Sequence, residues 1–144
     1  MTAGMTQRAL DATLRKEVRL LVVDDQLDHY EQIVEFAEMY HPEFKVECKL
    51  ATTPGDAVSL ASSWKASVVL VDLHAISSAL ELLQQLSHQG SAVIATSDNM
   101  LPELSETASQ YGAVGYLSKS SNPDDIEVLL SFAASVSSPS RPAQ

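Results

Sequence analysis

The chain of 144 residues reads as an α/β domain: a parallel β-sheet with helices packed on both faces. Three observations predict this. Apolar runs of strand length alternate with segments of helical periodicity from Val18 to Val136. The run 68–71 is apolar without alternation, as expected of a central strand buried on both faces. Two such runs also end in aspartate, at Asp24-Asp25 and at Asp72. Parallel strands bring the residues at their carboxyl ends to one rim, and ligands of open α/β sheets bind at that rim.

Val18-Arg19-Leu20-Leu21-Val22-Val23 is the first strand. Tyr30, Ile33, Val34, Ala37 and Tyr40 then recur at helical spacing, marking a helix that ends near His41-Pro42. Val46, Cys48 and Leu50 alternate with Glu47 and Lys49, a period of two that suggests an edge strand. Thr53-Pro54-Gly55-Asp56 reads as an N-cap, a proline at the first helical position and an acidic first turn. The helix behind it turns Ala57, Leu60, Ala61 and Trp64 inward.

After the strand ending at Asp72, the next helix presents Ile76, Leu80, Leu83 and Leu86 to the core. Ala92-Val93-Ile94-Ala95 is a fourth strand, ending at Thr96-Ser97. Leu101, Leu104, Ala108 and Tyr111 space a fourth helix, closed by Gly112. Residues 114–117 form a short fifth strand ending near Ser118-Lys119. Asn122-Pro123-Asp124-Asp125 caps a last helix with Ile126, Leu129, Leu130 and Ala133 inward.

Residues 18–136 therefore make one domain, large enough for a hydrophobic core. Residues 1–17 read as an N-terminal extension, with a helix over 6–16, and 137–144 as a disordered tail or linker rich in Ser and Pro. No apolar stretch reaches the roughly 18–20 residues that cross a bilayer, and the first residues lack a secretory pattern, so the expected location is the cytoplasm. The net charge of −10 argues against direct binding of nucleic acid, which needs clustered Lys and Arg. The single cysteine, Cys48, excludes an internal disulfide and reads as a small core residue.

Strand ends thus bring Asp24, Asp25, Asp72, Thr96 and Lys119 to one rim. Like charges packed together are costly unless a cation or a reaction needs them. Mg²⁺ prefers oxygen ligands and commonly uses one or two carboxylates with water and phosphate. Lysine and threonine can meet a phosphoryl oxygen, and an aspartate beside the cation can attack phosphorus. The combination suits phosphoryl transfer onto Asp72. Each piece also has a plainer reading: Asp24-Asp25 and Thr96-Ser97 as helix caps, Lys119 as a solvated surface lysine. His29, His41 and His88 show no ligand spacing and read as surface residues. His74 reads either as a tuning group beside Asp72 or as a solvent-facing loop residue.

Four segments resemble the receiver domain of bacterial two-component response regulators: Leu21-Val22-Val23-Asp24-Asp25, Val69-Leu70-Val71-Asp72, Val93-Ile94-Ala95-Thr96-Ser97 and Gly112-Ala113-Val114-Gly115-Tyr116-Leu117-Ser118-Lys119. The resemblance implies a flavodoxin-like (βα)5 fold with strand order 2-1-3-4-5. It implies that Asp72 is the phosphoacceptor, charged by a histidine kinase or histidine phosphotransfer protein in a Mg²⁺-dependent reaction. Asp25 would hold Mg²⁺ directly, Asp24 largely through water, and the backbone carbonyl of His74 would complete the protein's share alongside Asp72. Thr96 matches the switch hydroxyl, Lys119 the phosphoryl-contacting lysine and Tyr116 the switch aromatic. The output face would be the fourth helix, fifth strand and fifth helix, where an effector or a second copy docks.

The sequence departs from that family at two places. The loop 73–79 lacks the usual Met-Pro pair and glycine and is one residue shorter, and Ser120 stands where a cis-proline is usual. A receiver that signals by phosphorylation, with no substrate turnover beyond its own phosphorylation and dephosphorylation, is the first reading. The alternative is an atypical receiver acting as a phosphorylation-independent interaction module. A haloacid-dehalogenase-type phosphatase fits poorly, because its nucleophile lies in Asp-x-Asp on the first strand, whereas Asp72-Leu73-His74 comes after the third.

Overall fold

Strands and helices alternate throughout the computed structural model, which describes residues 16–40, 44–74, 78–98, 101–119 and 123–136. They are β1 (Lys16–Val23), α1 (Leu27–Tyr40), β2 (Phe44–Ala51), α2 (Pro54–Ser63), β3 (Val68–Asp72), α3 (Ala79–His88), β4 (Ala92–Ser97), α4 (Pro102–Gln110), β5 (Gly115–Ser118) and α5 (Pro123–Val136). All neighbouring strands are parallel, in the order β2-β1-β3-β4-β5 that the family resemblance implies. β1 starts two residues earlier than Val18, because Lys16 and Glu17 pair with Phe44 and Lys45 of β2. The helix expected over 6–16, apart from Lys16, and the tail 137–144 lie outside the described residues.

Alternation along each strand sorts the core into two layers. Leu21, Val23, Val69, Val71, Val93 and Ala95 face α2, α3 and α4, meeting Ala57, Ala61, Leu82, Leu83, Leu86 and Ala108. Val18, Leu20, Val22, Val68, Leu70 and Ile94 face α1 and α5, meeting Ile33, Ala37, Ile126, Leu129, Leu130 and Ala133. Every residue of β3 is buried, which is why its sequence shows no alternation. β2 lies at the sheet edge and alternates, as expected. Cys48 is half-buried against the second layer.

Two helix faces differ from the periodicity. In α3 the buried positions are Ala79, Leu82, Leu83 and Leu86; Leu80 is half-buried and Ile76 lies outside the described residues. The helix starts at Ala79, after Ser78 in a left-handed conformation (φ 57°), and it packs on the sheet through Ala79, Leu82, Leu83 and Leu86. In α4, Leu101 is the extended residue before the helix and is exposed, while Ala108 is buried and Leu104 and Tyr111 are half-buried. The cap at Thr53 is as read: Thr53 Oγ1 accepts from the Asp56 amide at 3.2 Å with Pro54 behind it, while Asn122, the cap expected for the last helix, lies outside the described residues. Gly112 turns the chain after α4 at φ +112°, and a Cβ there would stand 2.6 Å from Ser87 Oγ of α3.

Candidate functional site

Register builds the site. Val23 pairs with Val71 across β1 and β3, so Asp24 and Asp72 leave the sheet side by side. Asp72 pairs with Thr96 across β3 and β4, and Ser97 with Ser118 across β4 and β5, so Lys119 arrives one residue further along. Backbone bonds continue the ladder past the strands: Asp24 N–H to Ala51 O at 3.1 Å, Leu73 N–H to Thr96 O at 2.9 Å and Lys119 N–H to Ser97 O at 3.0 Å.

Asp24, Asp72 and Thr96 are buried at 0, 2 and 2% exposure, and the Lys119 side chain is 8% exposed. The Lys119 ammonium is paired directly with Asp72 Oδ2, lies 3.2 Å from Asp24 Oδ2 and donates to Gln26 Oε1 at 2.8 Å. Asp24 Oδ1 accepts from the Gln26 amide at 2.9 Å, and His29 Nδ1 lies 2.8 Å from Asp24 Oδ2. The His74 amide donates to Asp72 Oδ1 at 2.9 Å. Asp25 and the His74 side chain are exposed, and Tyr116 points outward from β5 at 57% exposure.

The charges hold one another in place. Burial pushes Asp24 up, but the His29 bond, the Gln26 amide and Lys119 outweigh it and hold the carboxyl below its ordinary value. Burial likewise pushes Lys119 down, and its contacts with Asp72 and Asp24 overcome that and raise it. Both groups are therefore ionised at neutral pH. Burying charge is tolerable where partners and hydrogen bonds surround it, as they do here.

Of the plainer readings, two fail and one is half right. Lys119 is a buried ion-pair partner rather than a solvated lysine. Thr96 and Ser97 belong to β4 and are buried; the residue before α4 is Leu101. Asp24 does fold the turn before α1 through Oδ1, while Oδ2 faces His29 and Lys119. Ser120 and residues 75–77 of the departing loop lie outside the described residues.

His29 corrects an expectation. It is not at the surface but 9% exposed, bonded to Asp24. Its sequence signal was a stripe: His29, Ile33 and Ala37 stand four apart on α1, and the last two are core residues. Gln26, which bonds Lys119, carried no comparable signal because loop geometry alone places it. His88 is exposed as expected, and His41 lies outside the described residues.

The donor set fits a hard divalent cation. Its carboxylates are oxygen ligands at one rim, and Asp24 and Asp72 already share a cation, the lysine ammonium. Among the described residues no three of His, Cys, Asp or Glu form a complete ligand group. Mg²⁺ does not require one, since water and phosphate oxygens commonly fill most of its shell.

No protein-family model matches the chain, and no curated protein matches it. Solved structures do. The signal receiver domain of the response regulator NarL from Mycobacterium tuberculosis superposes with a TM-score of 0.71 at 22% identity, covering 82% of this chain and 97% of that one. A CheY-like response regulator receiver domain from Methanospirillum hungatei gives 0.68 at 22% identity, over 83% and 96% of the two chains. The receiver domain of NtrX from Brucella abortus gives 0.67 at 21% identity, over 81% and 98%. The chain has the receiver-domain fold. Among the described residues no helix is long and apolar enough to cross a membrane.

Proposed function

We propose that the chain is a phosphorylatable receiver of a two-component system. One observation carries the reading: a single lysine at the end of β5 pairs with buried carboxylates at the ends of both β1 and β3, two residues beyond the level at which Asp72 pairs with Thr96. A carboxylate held beside a matched ammonium at a strand end is poised for attack on phosphorus.

In this reading Asp72 attacks the phosphorus of a phosphohistidine on a histidine kinase or phosphotransfer protein. The O–P bond forms, the P–N bond breaks, and the released imidazole nitrogen takes up a proton. Lys119, already against Asp72, then meets a phosphoryl oxygen. Thr96, the register partner of Asp72, supplies a hydroxyl toward the same group. Mg²⁺, when bound, would neutralise charge on the phosphoryl oxygens; Asp25, Asp72, the His74 carbonyl and, through water, Asp24 would hold it. Water later returns Asp72 to its free form, so the chain is a switch rather than an enzyme with a separate substrate.

The output face is built from α4, β5 and α5. Val114, Tyr116 and Val128 are exposed there, around a groove of about 260 Å³ that Ile94, Leu117 and Phe132 also line. Exposed apolar surface of this kind marks a docking face for an effector or a second copy. Phosphorylation would bias it through Thr96 and Tyr116.

Acetyl phosphate with Mg²⁺, followed by intact-mass spectrometry, tests the reading. One phosphoryl group is expected on the parent chain and none on Asp72→Asn. An unmodified parent that also fails to bind beryllofluoride would overturn it in favour of the phosphorylation-independent interaction module.

A further inference from the structure

We propose that His29 is a positioning residue of the cation pocket: its buried imidazole holds Asp24 away from a closed ion pair with Lys119 and so preserves the pocket's affinity for a divalent cation. The inference rests on the receiver reading, within which it assigns a role to a residue outside the pocket's carboxylates.

The distances on Asp24 Oδ2 argue for it. A charge-assisted contact between ammonium and carboxylate normally closes to about 2.7–2.9 Å. Lys119 stops at 3.2 Å from Asp24 Oδ2, although it closes fully on Asp72. The donor that does close on Asp24 Oδ2 is His29 Nδ1, at 2.8 Å. An ionised carboxylate only accepts, so His29 Nδ1 carries the proton and donates.

Packing cannot replace that bond. The terminal torsion of an aspartate is broad and roughly two-fold, so a buried carboxylate is oriented by its hydrogen bonds. The Gln26 amide holds Oδ1 alone. His29 in turn is buried and shares its helix face with Ile33 and Ala37, both in the core between the sheet and α1 and α5. Without the imidazole donor, Oδ2 would be left to Lys119. The carboxylate would swing toward the ammonium, and an entering cation would have to break a tighter pair. Partners that orient a ligand in this way typically contribute about 10–100-fold to metal affinity.

The test uses the full chain and Mn²⁺, a spin-active stand-in for Mg²⁺, titrated by electron paramagnetic resonance. Mg²⁺ competition and metal-free thermal unfolding are measured alongside. His29→Leu keeps apolar volume and removes the donor; His29→Asn keeps an N–H near the Nδ1 position. The proposal expects His29→Leu to weaken Mn²⁺ binding about tenfold or more and His29→Asn to stay within about threefold of the parent. Parent-like affinity in His29→Leu overturns it, as does equal weakening in both variants, which would assign the effect to ring packing. If His29→Leu does not fold, His29→Asn decides: within threefold supports the role, a tenfold loss overturns it. A parent chain that binds neither Mn²⁺ nor Mg²⁺ overturns the receiver reading itself, and this inference with it.

Discussion

Lys119 Nζ stands 3.2 Å from Asp24 Oδ2, tying the end of β5 to the end of β1 across the two strands between them. The same ammonium pairs with Asp72 on β3. One charge thus links three strand ends and occupies the ground a cation would approach.

Removing that charge should separate binding from switching. Lys119→Ala leaves the carboxylates and takes away a like charge that an entering Mg²⁺ would meet, so Mg²⁺ affinity is expected to rise about tenfold, worth about 1.4 kcal/mol. Without Mg²⁺, two buried carboxylates lose a partner and stability should fall by about 3 kcal/mol. Calorimetric titration and urea unfolding read the two effects. Weaker Mg²⁺ binding in the variant would count against the assigned arrangement.

Stability should respond to pH at both extremes. Asp24 is held below its ordinary value, so its stabilising effect is complete above about pH 4 and is lost as pH falls through the lower folded value. Lys119 is held above its ordinary value, so its effect is complete below about pH 10.4 and is lost as pH rises through the higher folded value. Thermal midpoints should therefore fall less steeply in acid for Asp24→Asn and less steeply in alkali for Lys119→Met than for the parent. Superimposable profiles would exclude these two groups as the source.

Gly112→Ala is expected to cost more than about 1 kcal/mol. Alanine is strained at φ +112°, and its methyl meets Ser87 Oγ at 2.6 Å. In urea unfolding, adding Ser87→Gly should recover only the steric part. Full recovery would mean that the backbone conformation contributes nothing.

The α3 rotation has its own signature. Leu82 is 3% exposed, whereas Leu80 is half-buried. Leu82→Ala should cost about 2–4 kcal/mol and Leu80→Ala about 1 kcal/mol or less. The reverse ranking in denaturant midpoints would restore the face expected from the sequence.

Much of the site was legible because parallel strands impose it. Asp24, Asp72 and Thr96 end apolar runs, and a parallel sheet sends all such ends to one rim. Tyr116 was legible as a residue of the fifth strand, although its outward direction on that edge strand was not. The contacts among these groups could not be read. A lone histidine on a helix carries no ligand spacing, so the stripe with Ile33 and Ala37 can signal burial of His29 but not its bond to Asp24, which the packing of α1 on the sheet provides. The inward face of α3 departs from its periodicity at Leu80 because docking on the sheet buries Leu82 beside Leu83 and Leu86 instead.

By itself, the sequence determined the alternation of elements, the two-sided burial of β3, the caps at Thr53 and Pro54, and the acidic rim. All but the rim rest on local periodicity and short-range hydrogen bonding, and the rim follows from the shared direction of parallel strands. Tertiary structure decided how the rim's charges pair: the contacts of Lys119 with Asp24, Asp72 and the Gln26 side chain, and the His29 bond. The Lys119 contacts join residues far apart in the chain, and the His29 bond depends on how α1 docks. Register, docking and burial, rather than local sequence pattern, set those distances.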